Sequence, residues 1–276
     1  MNERELRVRL IALITYLMNE RPDTMDNEQV SLETLGEMVI PSLWTMFRSL
    51  VNLREPKAGH PRFYETQDEV LSYFINKDHI ATIEDATLSP DNDRIGLWRG
   101  DITRLKVDAI VNAASKELQG CWVPGHNCID NAIHTFAGVQ LREECAHIIE
   151  AQGHEEPVGK ARTTSAYNLP CTHIIHTVGP IANGKPTDRD RTDLASCYSS
   201  CLEAARSVHA KTLAFCPIST GVFGFSQEEA ADIAYRTVAD WLGAHPTTDI
   251  TVIFNTFDAD CDTAYRLVLN LPKGEE

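Results

Sequence analysis

The sequence predicts an α/β layered fold with a largely parallel sheet, carried behind a helical N-terminal region. Three observations predict it. From about Ile95 onward, short apolar runs alternate with longer segments of helical periodicity, and Gly- or Pro-bearing turns separate them. Before residue 85 the periodicity is helical throughout. The composition, 43% hydrophobic and 24% charged over 276 residues, is that of a globular chain long enough for one large domain or a domain with an extension.

The elements follow in order. Leu6, Leu10, Leu13, Ile14 and Leu17 recur at helical spacing, and Pro22 closes that first helix. Further helices are expected over residues 43–53 and 67–76. Between them, residues 55–63 carry Pro56, Gly59 and Pro61 and read as a loop. Residues 1–85 show no catalytic pattern and read as a helical extension, a cap or partner surface. Residues 86–276 form the second unit. Its expected strands are 95–98, 109–112, 163–167, 173–177, 212–217 and 250–255. Its expected helices are 129–137, 139–152, 190–209, 227–242 and 260–269. Residues 273–276 read as a loose acidic tail.

Charge and targeting signals narrow the function. With 25 basic and 40 acidic residues the net charge is −15, which disfavours nucleic acid or an anionic membrane as a partner. A local nest of backbone N–H groups remains able to bind phosphate. The start, MNERELRVRL, mixes both charge signs. The longest apolar stretch, residues 10–18, is interrupted by Thr15 and Tyr16 and is too short to span a bilayer. These features predict a cytoplasmic protein. The 8 cysteines then read as thiols or metal ligands rather than disulfides.

The most informative local feature is Gly120-Cys121-Trp122-Val123-Pro124-Gly125-His126-Asn127-Cys128. Cys121, His126 and Cys128 can reach one metal because Pro124 and Gly125 turn the chain back. Two thiols and one imidazole leave the fourth position of a zinc ion to water or substrate, as in catalytic sites. Two reduced cysteines beside an unrelated histidine fit the spacing equally well. Asp130 and His134, four apart, share a helix face. Asp130 suits a general base or an N-cap; His134 suits a packed, hydrogen-bonded histidine. Downstream, Ser219-Thr220-Gly221-Val222-Phe223-Gly224 joins a buried strand to a helix and offers N–H groups to an anion. It lacks the Gly-Lys-Ser/Thr of a Walker loop and the Gly-x-Ser-x-Gly of a serine hydrolase.

Four patterns, in this order, carry a family resemblance. They are Gly100-Asp101-Ile102-Thr103, Val107-Asp108-Ala109-Ile110-Val111-Asn112-Ala113-Ala114, His176-Thr177-Val178-Gly179-Pro180 and the 219–224 loop. From about Ile95 to Leu269 the chain resembles the macrodomain family, and the Cys-His-Cys segment resembles its zinc-dependent branch. The resemblance implies a three-layer α/β/α sandwich with a mixed sheet behind a helical extension. It implies zinc held by Cys121, His126 and Cys128, and hydrolysis of mono-ADP-ribose from modified proteins, especially at acidic side chains, with ADP-ribose as product. A non-catalytic ADP-ribose reader and an O-acetyl-ADP-ribose deacetylase are the competing readings.

Residue by residue, the resemblance implies that Asp101 binds the adenine amino group with Ile102 beside it. Asn112 contacts the distal ribose, and Asn131 joins the ligand-binding set. Ser219, Thr220, Gly221, Val222, Phe223 and Gly224 bind the diphosphate, and Phe257 faces the adenine. Asp130 and Asn112 form the catalytic pair. Relatives often read Asn-Ala-Ala-Asn where this chain has Ser115 in the last position, which removes an amide from the ribose site.

Overall fold

A computed structural model describes residues 1–20 and 31–274. Among the described residues, the chain begins with four helices: α1 (Glu3–Asn19), α2 (Leu32–Glu37), α3 (Ile40–Asn52) and α4 (Pro61–Asn76). Asn2 opens α1 in a reciprocal capping box with Glu5, which satisfies two end N–H groups at once. The leucine stripe of α1 is buried against Leu43 and Phe47 of α3 and Val70 and Leu71 of α4. Pro22, the expected terminator, lies outside the described residues, and so do the last two residues of the expected tail.

Two expectations are corrected here. The third helix starts at Pro61, six residues earlier than the periodicity placed it, because Pro61 stands at the first helical position. There its missing N–H costs nothing, and the His60 ring accepts the Arg62 N–H. The six-residue α2, capped by Ser31, was not expected, being too short to show a period.

The second unit is a seven-stranded sheet. Its strands are β1 (Thr87–Ser89), β2 (Asn92–Arg99), β3 (Ala109–Ala113), β4 (Ala161–Ser165), β5 (His173–Thr177), β6 (Thr212–Phe215) and β7 (Thr251–Thr256), in the order β1-β2-β7-β6-β3-β5-β4. β2, β7, β6, β3 and β5 run parallel, and β1 and β4 pair antiparallel at the two edges, so the sheet is mixed. The three-residue β1 was not expected.

Strand alternation sorts side chains into two cores. Ile110, Ile174, Ala214 and Ile253 pack with α5 (Ile129–Ala137) and α6 (Val139–Gln152). Val111, Ile175, Phe215 and Phe254 pack with α7 (Asp188–Ser207), α8 (Gln227–Ala244) and α9 (Ala259–Val268) on the other face. This is the α/β/α sandwich. The N-terminal helices join it on the α5–α6 side. Val139 belongs to their core, and the buried Gln67 of α4 accepts the Val139 N–H at 3.0 Å.

Phe254 is fully buried, its ring centroid 4.8 Å from Tyr265 and 6.2 Å from Phe215. Phe254→Ala should cost about 3–5 kcal/mol, read as a lower urea midpoint with an unchanged slope.

Candidate active site

The five parallel strands point their carboxyl ends to one edge of the sheet, where open α/β sheets bind ligands. Asp101 follows β2, Asn112 sits in β3, the 219–224 loop follows β6 and Phe257 follows β7. The candidate metal loop connects β3 to α5. The topology thus gathers all the sequence-derived site segments at one edge.

Asp101 caps a 3-10 turn: its Oδ1 accepts the Thr103 N–H at 3.0 Å and the Thr103 hydroxyl at 2.7 Å. Asn255 secures the segment by donating to the Gly100 carbonyl at 2.9 Å. The side chain of Ile102 packs into the core beneath this turn. Phe257 is 76% exposed, a free aromatic face at the end of β7.

The 219–224 loop folds on itself, with Gly224 N–H donating to the Gly221 carbonyl and Phe225 N–H to that of Ser219. The segment at residues 182–184 braces it through three backbone bonds to Phe223 and Gly224. Among the described residues, the N–H groups of Thr220, Gly221, Val222 and Phe223 make no hydrogen bond. Val222 is 87% exposed. Gly224 has φ +76°, and a Cβ there would lie 2.8 Å from the Gly184 nitrogen. Such a loop presents several donors to one anion.

The candidate metal loop is built by turns. His126 N–H donates to the Val123 carbonyl, and Gly120 and Gly125 adopt left-handed φ values of +77° and +65°. The Cys121 Sγ and His126 Nδ1 lie 3.5 Å apart, and the donor atoms of Cys121, His126 and Cys128 all lie within 4.8 Å of one another. A tetrahedral zinc ion with bonds of about 2.3 Å to sulfur and 2.0–2.1 Å to nitrogen separates its ligands by roughly 3.6 Å, so the donor set fits after a small closure. Cys121 and Cys128 are half-buried and His126 is exposed, so solvent reaches the donor set. Burial, with Cys121 adjacent, pushes the Cys128 thiol up to about 12.

Helix α5 begins at Ile129, and Cys128 is its N-cap, with Sγ accepting the Asn131 N–H. The N-cap reading of Asp130 is therefore corrected: Asp130 lies inside the first turn and faces the strand. Its Oδ1 accepts from Asn112 Nδ2 at 2.8 Å. Burial raises this carboxyl to about 6, against the lowering effects of the Asn112 bond and Arg142. Asn112 Nδ2 also lies 3.1 Å from His176 Nδ1, and its Oδ1 is buried without a partner.

His134 is packed as expected, yet neither ring nitrogen has a hydrogen-bond partner, and Nε2 lies 3.6 Å from Asp130 Oδ1. The donor atoms of His134, Cys145 and His176 form a second close trio. Both His176 nitrogens are already engaged, Nδ1 with Asn112 and Nε2 with the Thr164 hydroxyl at 3.0 Å.

Asn131 is fully buried. Its amide donates to Asn52 and the Val123 carbonyl and accepts from Arg48 and Thr135. These bonds place it under the candidate metal loop, not facing the cleft. Sequence reasoning missed His176 as a partner of Asn112, and missed Thr164, Asn52 and Arg142. His176 carried a signal, a polar residue in the apolar run of β5.

The buried imidazoles make stability depend on pH. Burial lowers His176 to about 3, and burial with the nearby His176 and Arg142 holds His134 well below its ordinary range. In the unfolded chain both titrate near 6.5. Below about pH 6.5 the unfolded chain binds more protons, so stability is complete above that pH and is lost as pH falls. The slope approaches ~1.4 kcal/mol per pH unit for each ring. The raised carboxyl of Asp130 opposes this between about 6 and its unfolded value near 3.9, one group against two. The urea midpoint should drop between pH 7 and pH 5; a flat midpoint would show that these rings titrate normally.

Comparison with known proteins agrees with this architecture. A family model described as "Macro domain" matches residues 111–234. A protein-ADP-ribose hydrolase of Treponema medium is 45% identical over 266 residues, covering 95% of this chain and 98% of that protein. One from Staphylococcus aureus strain Mu50 is 44% identical, covering 94% and 96%. Among solved structures, a Trypanosoma brucei macrodomain in complex with ADP-ribose matches with TM-score 0.61 at 29% identity, covering 80% of this chain and 94% of that one. An Oceanobacillus iheyensis macrodomain with ADP matches with TM-score 0.58 at 34% identity, covering 67% and 94%. With relatives this similar over nearly their whole length, and with the sheet, phosphate-type loop and β3 asparagine in place, the chain belongs to the macrodomain family.

Proposed function

We propose that the chain is a zinc-dependent protein-ADP-ribose hydrolase that releases mono-ADP-ribose from acidic side chains of modified proteins. The names of its relatives support the hydrolase, and the ADP-ribose-bound neighbour supports the ligand. The observation that carries the reading is the meeting of two groups at the carboxyl edge. A half-exposed Cys121–His126–Cys128 donor set stands two residues from the buried Asp130–Asn112 pair. A reader of ADP-ribose needs neither.

In this reading Asp101 holds the adenine amino group, with Ile102 beneath it and Phe257 against the ring face. The free N–H groups of Thr220, Gly221, Val222 and Phe223 hold the diphosphate, and the Phe223 ring borders the distal ribose. Asn112 turns its unpartnered Oδ1 to a ribose hydroxyl, since its amide nitrogen is committed to Asp130 and His176. These contacts fix the reacting carbon before the chemistry, which supplies orientation. Cys121, His126 and Cys128 would hold zinc, a Lewis acid for a water or a substrate oxygen. Asp130 orients the attacking water and accepts its proton. The water's hydroxyl goes to one side of the cleaved carbon–oxygen bond and the proton returns to the other. Residues 1–85 act as a helical cap on residues 86–276. A cytoplasmic setting suits the thiols, all eight of which are free. Among the described residues, no helix is long and apolar enough to cross a membrane. The acidic net charge argues against nucleic acid or a membrane as partner.

The test is release of ADP-ribose from a carrier protein mono-ADP-ribosylated on acidic residues. Release should vanish on zinc chelation and return with added zinc. Cys128→Ala should lose at least ~100-fold in turnover while keeping ADP-ribose affinity. Normal turnover in a folded Cys128→Ala protein would sink the metal reading, and release only from O-acetyl-ADP-ribose would favour the deacetylase. Asp101→Ala should weaken ADP-ribose binding by about 10-fold or more, the worth of a hydrogen bond to a charged group, as read by calorimetry.

A further inference from the structure

The last turn of α3 lies against the candidate metal loop. Arg48 and Asn52, one helical turn apart, project to the same place. Asn52 is 1% exposed, and every polar atom of its side chain is used. Its Oδ1 accepts the Gly125 N–H at 2.9 Å and Asn131 Nδ2 at 3.0 Å, and its Nδ2 faces the Thr135 hydroxyl at 3.4 Å. Arg48 donates to Asn131 Oδ1 at 3.0 Å, and Asn131 donates to the Val123 carbonyl at 3.2 Å. The loop is therefore tied to the N-terminal helices directly at Gly125 and, through Asn131, at Val123.

These ties matter because packing does little for the loop tip. Val123 is largely exposed, and a Cβ placed on Gly125 would meet nothing within 4 Å. Gly125 is there for its left-handed backbone, φ +65°, and it immediately precedes His126. The bond from the Gly125 N–H to Asn52 Oδ1 fixes the Pro124–Gly125 peptide plane, one residue before His126.

We propose that Asn52 is a positioning residue for the metal loop. It sets His126 relative to Cys121 and Cys128, so the N-terminal helices complete the metal centre. The proposal rests on the zinc reading given above, and its test separates the two.

The experiment uses the full chain with Asn52→Ala and Asn52→Asp. Two quantities are measured: amide hydrogen exchange at Gly125 in metal-free protein, and zinc transfer to a chromogenic chelator. Asn52→Ala should exchange about 10-fold faster at Gly125. Its zinc retention should fall by about 10- to 100-fold, as when the outer partners of metal ligands are removed. Its ADP-ribose affinity should stay native. Asn52→Asp keeps the acceptor for Gly125 and should restore both readouts. Native exchange and native zinc retention in folded Asn52→Ala would overturn the proposal. If the native chain takes up no zinc, the zinc reading fails, and exchange at Gly125 still decides whether Asn52 positions the loop. If Asn52→Ala does not fold, Asn52→Ser supplies the comparison; failure of both to fold would make Asn52 a general structural residue and end the proposal.

Discussion

One buried guanidinium joins the parts of this molecule. Arg142 of α6 donates through Nε to the Gln119 carbonyl at 2.6 Å and through Nη2 to that of Cys121 at 3.4 Å. Its Nη1 faces the carbonyls of Asn52 and Arg54, each at 2.8 Å. The carbonyls at the end of α3 lack helical partners, and a cation there also meets the negative end of the helix dipole. The same group stacks 4.1 Å from the Trp122 ring. Burial lowers Arg142 to about 10, and Asp130 pulls it back up, so it stays charged at neutral pH. Lysine, with a single point of charge and no planar fork, would not span these carbonyls and the indole face together. The N-terminal helices, the Cys121–Cys128 loop and the sandwich thus share one side chain.

A second constraint runs across the sheet. Asn112 and His176 are register partners on neighbouring strands, both on the face toward α5. Asn112 Nδ2 approaches His176 Nδ1, which must then accept, leaving the ring proton on Nε2 to meet the Thr164 hydroxyl. That tautomer fixes which way the Asn112 amide points. Its nitrogen serves Asp130 and His176, and its oxygen is left without a protein donor. Leaving a buried acceptor unmet costs about 1–3 kcal/mol, a cost that a ribose hydroxyl would recover on binding. The neutral state of His176 is therefore part of how the site holds its shape.

The sequence made the sheet and the site segments legible for different reasons. Strands β2, β3, β5, β6 and β7 are central, so their apolar runs stand out, whereas the three-residue edge β1 has too few residues to show alternation. The misplaced start of α4 came from reading Pro61 as a breaker when it is an initiator. Motif order identified Asp101, Asn112 and the 219–224 loop because backbone geometry there demands particular residues at short range. Asn52, Arg142 and Thr164 were not legible, because their partners lie 12 to 91 residues away and depend on how whole elements dock. Asn131 shows the converse: a neighbour of the Cys121–Cys128 loop in sequence, it serves the packing beneath it.

Ser219 shows how the edge was shaped against ordinary preference. It holds φ +64°, a conformation that costs a non-glycine residue of order 1 kcal/mol, and its buried hydroxyl has no protein partner. Opposite stands Gly179 of the His-Thr-Val-Gly-Pro motif, where any Cβ would overlap the Ser219 hydroxyl. Two unfavourable features at one residue persist only where the surroundings over-determine them, and here the bond from Phe225 N–H to the Ser219 carbonyl and the brace from residues 182–184 do so. The other unmet buried atoms include Asn112 Oδ1, both nitrogens of His134 and Arg48 Nε, all close to the same edge or its supporting loop. Glu156 Oε1 is also unmet; its second oxygen is held by Arg162, and its N–H donates to the Lys116 carbonyl just past β3. Local rules are broken along the edge where the proposed ligand site lies and are kept in the core, as expected where a binding partner would return what those groups give up on folding.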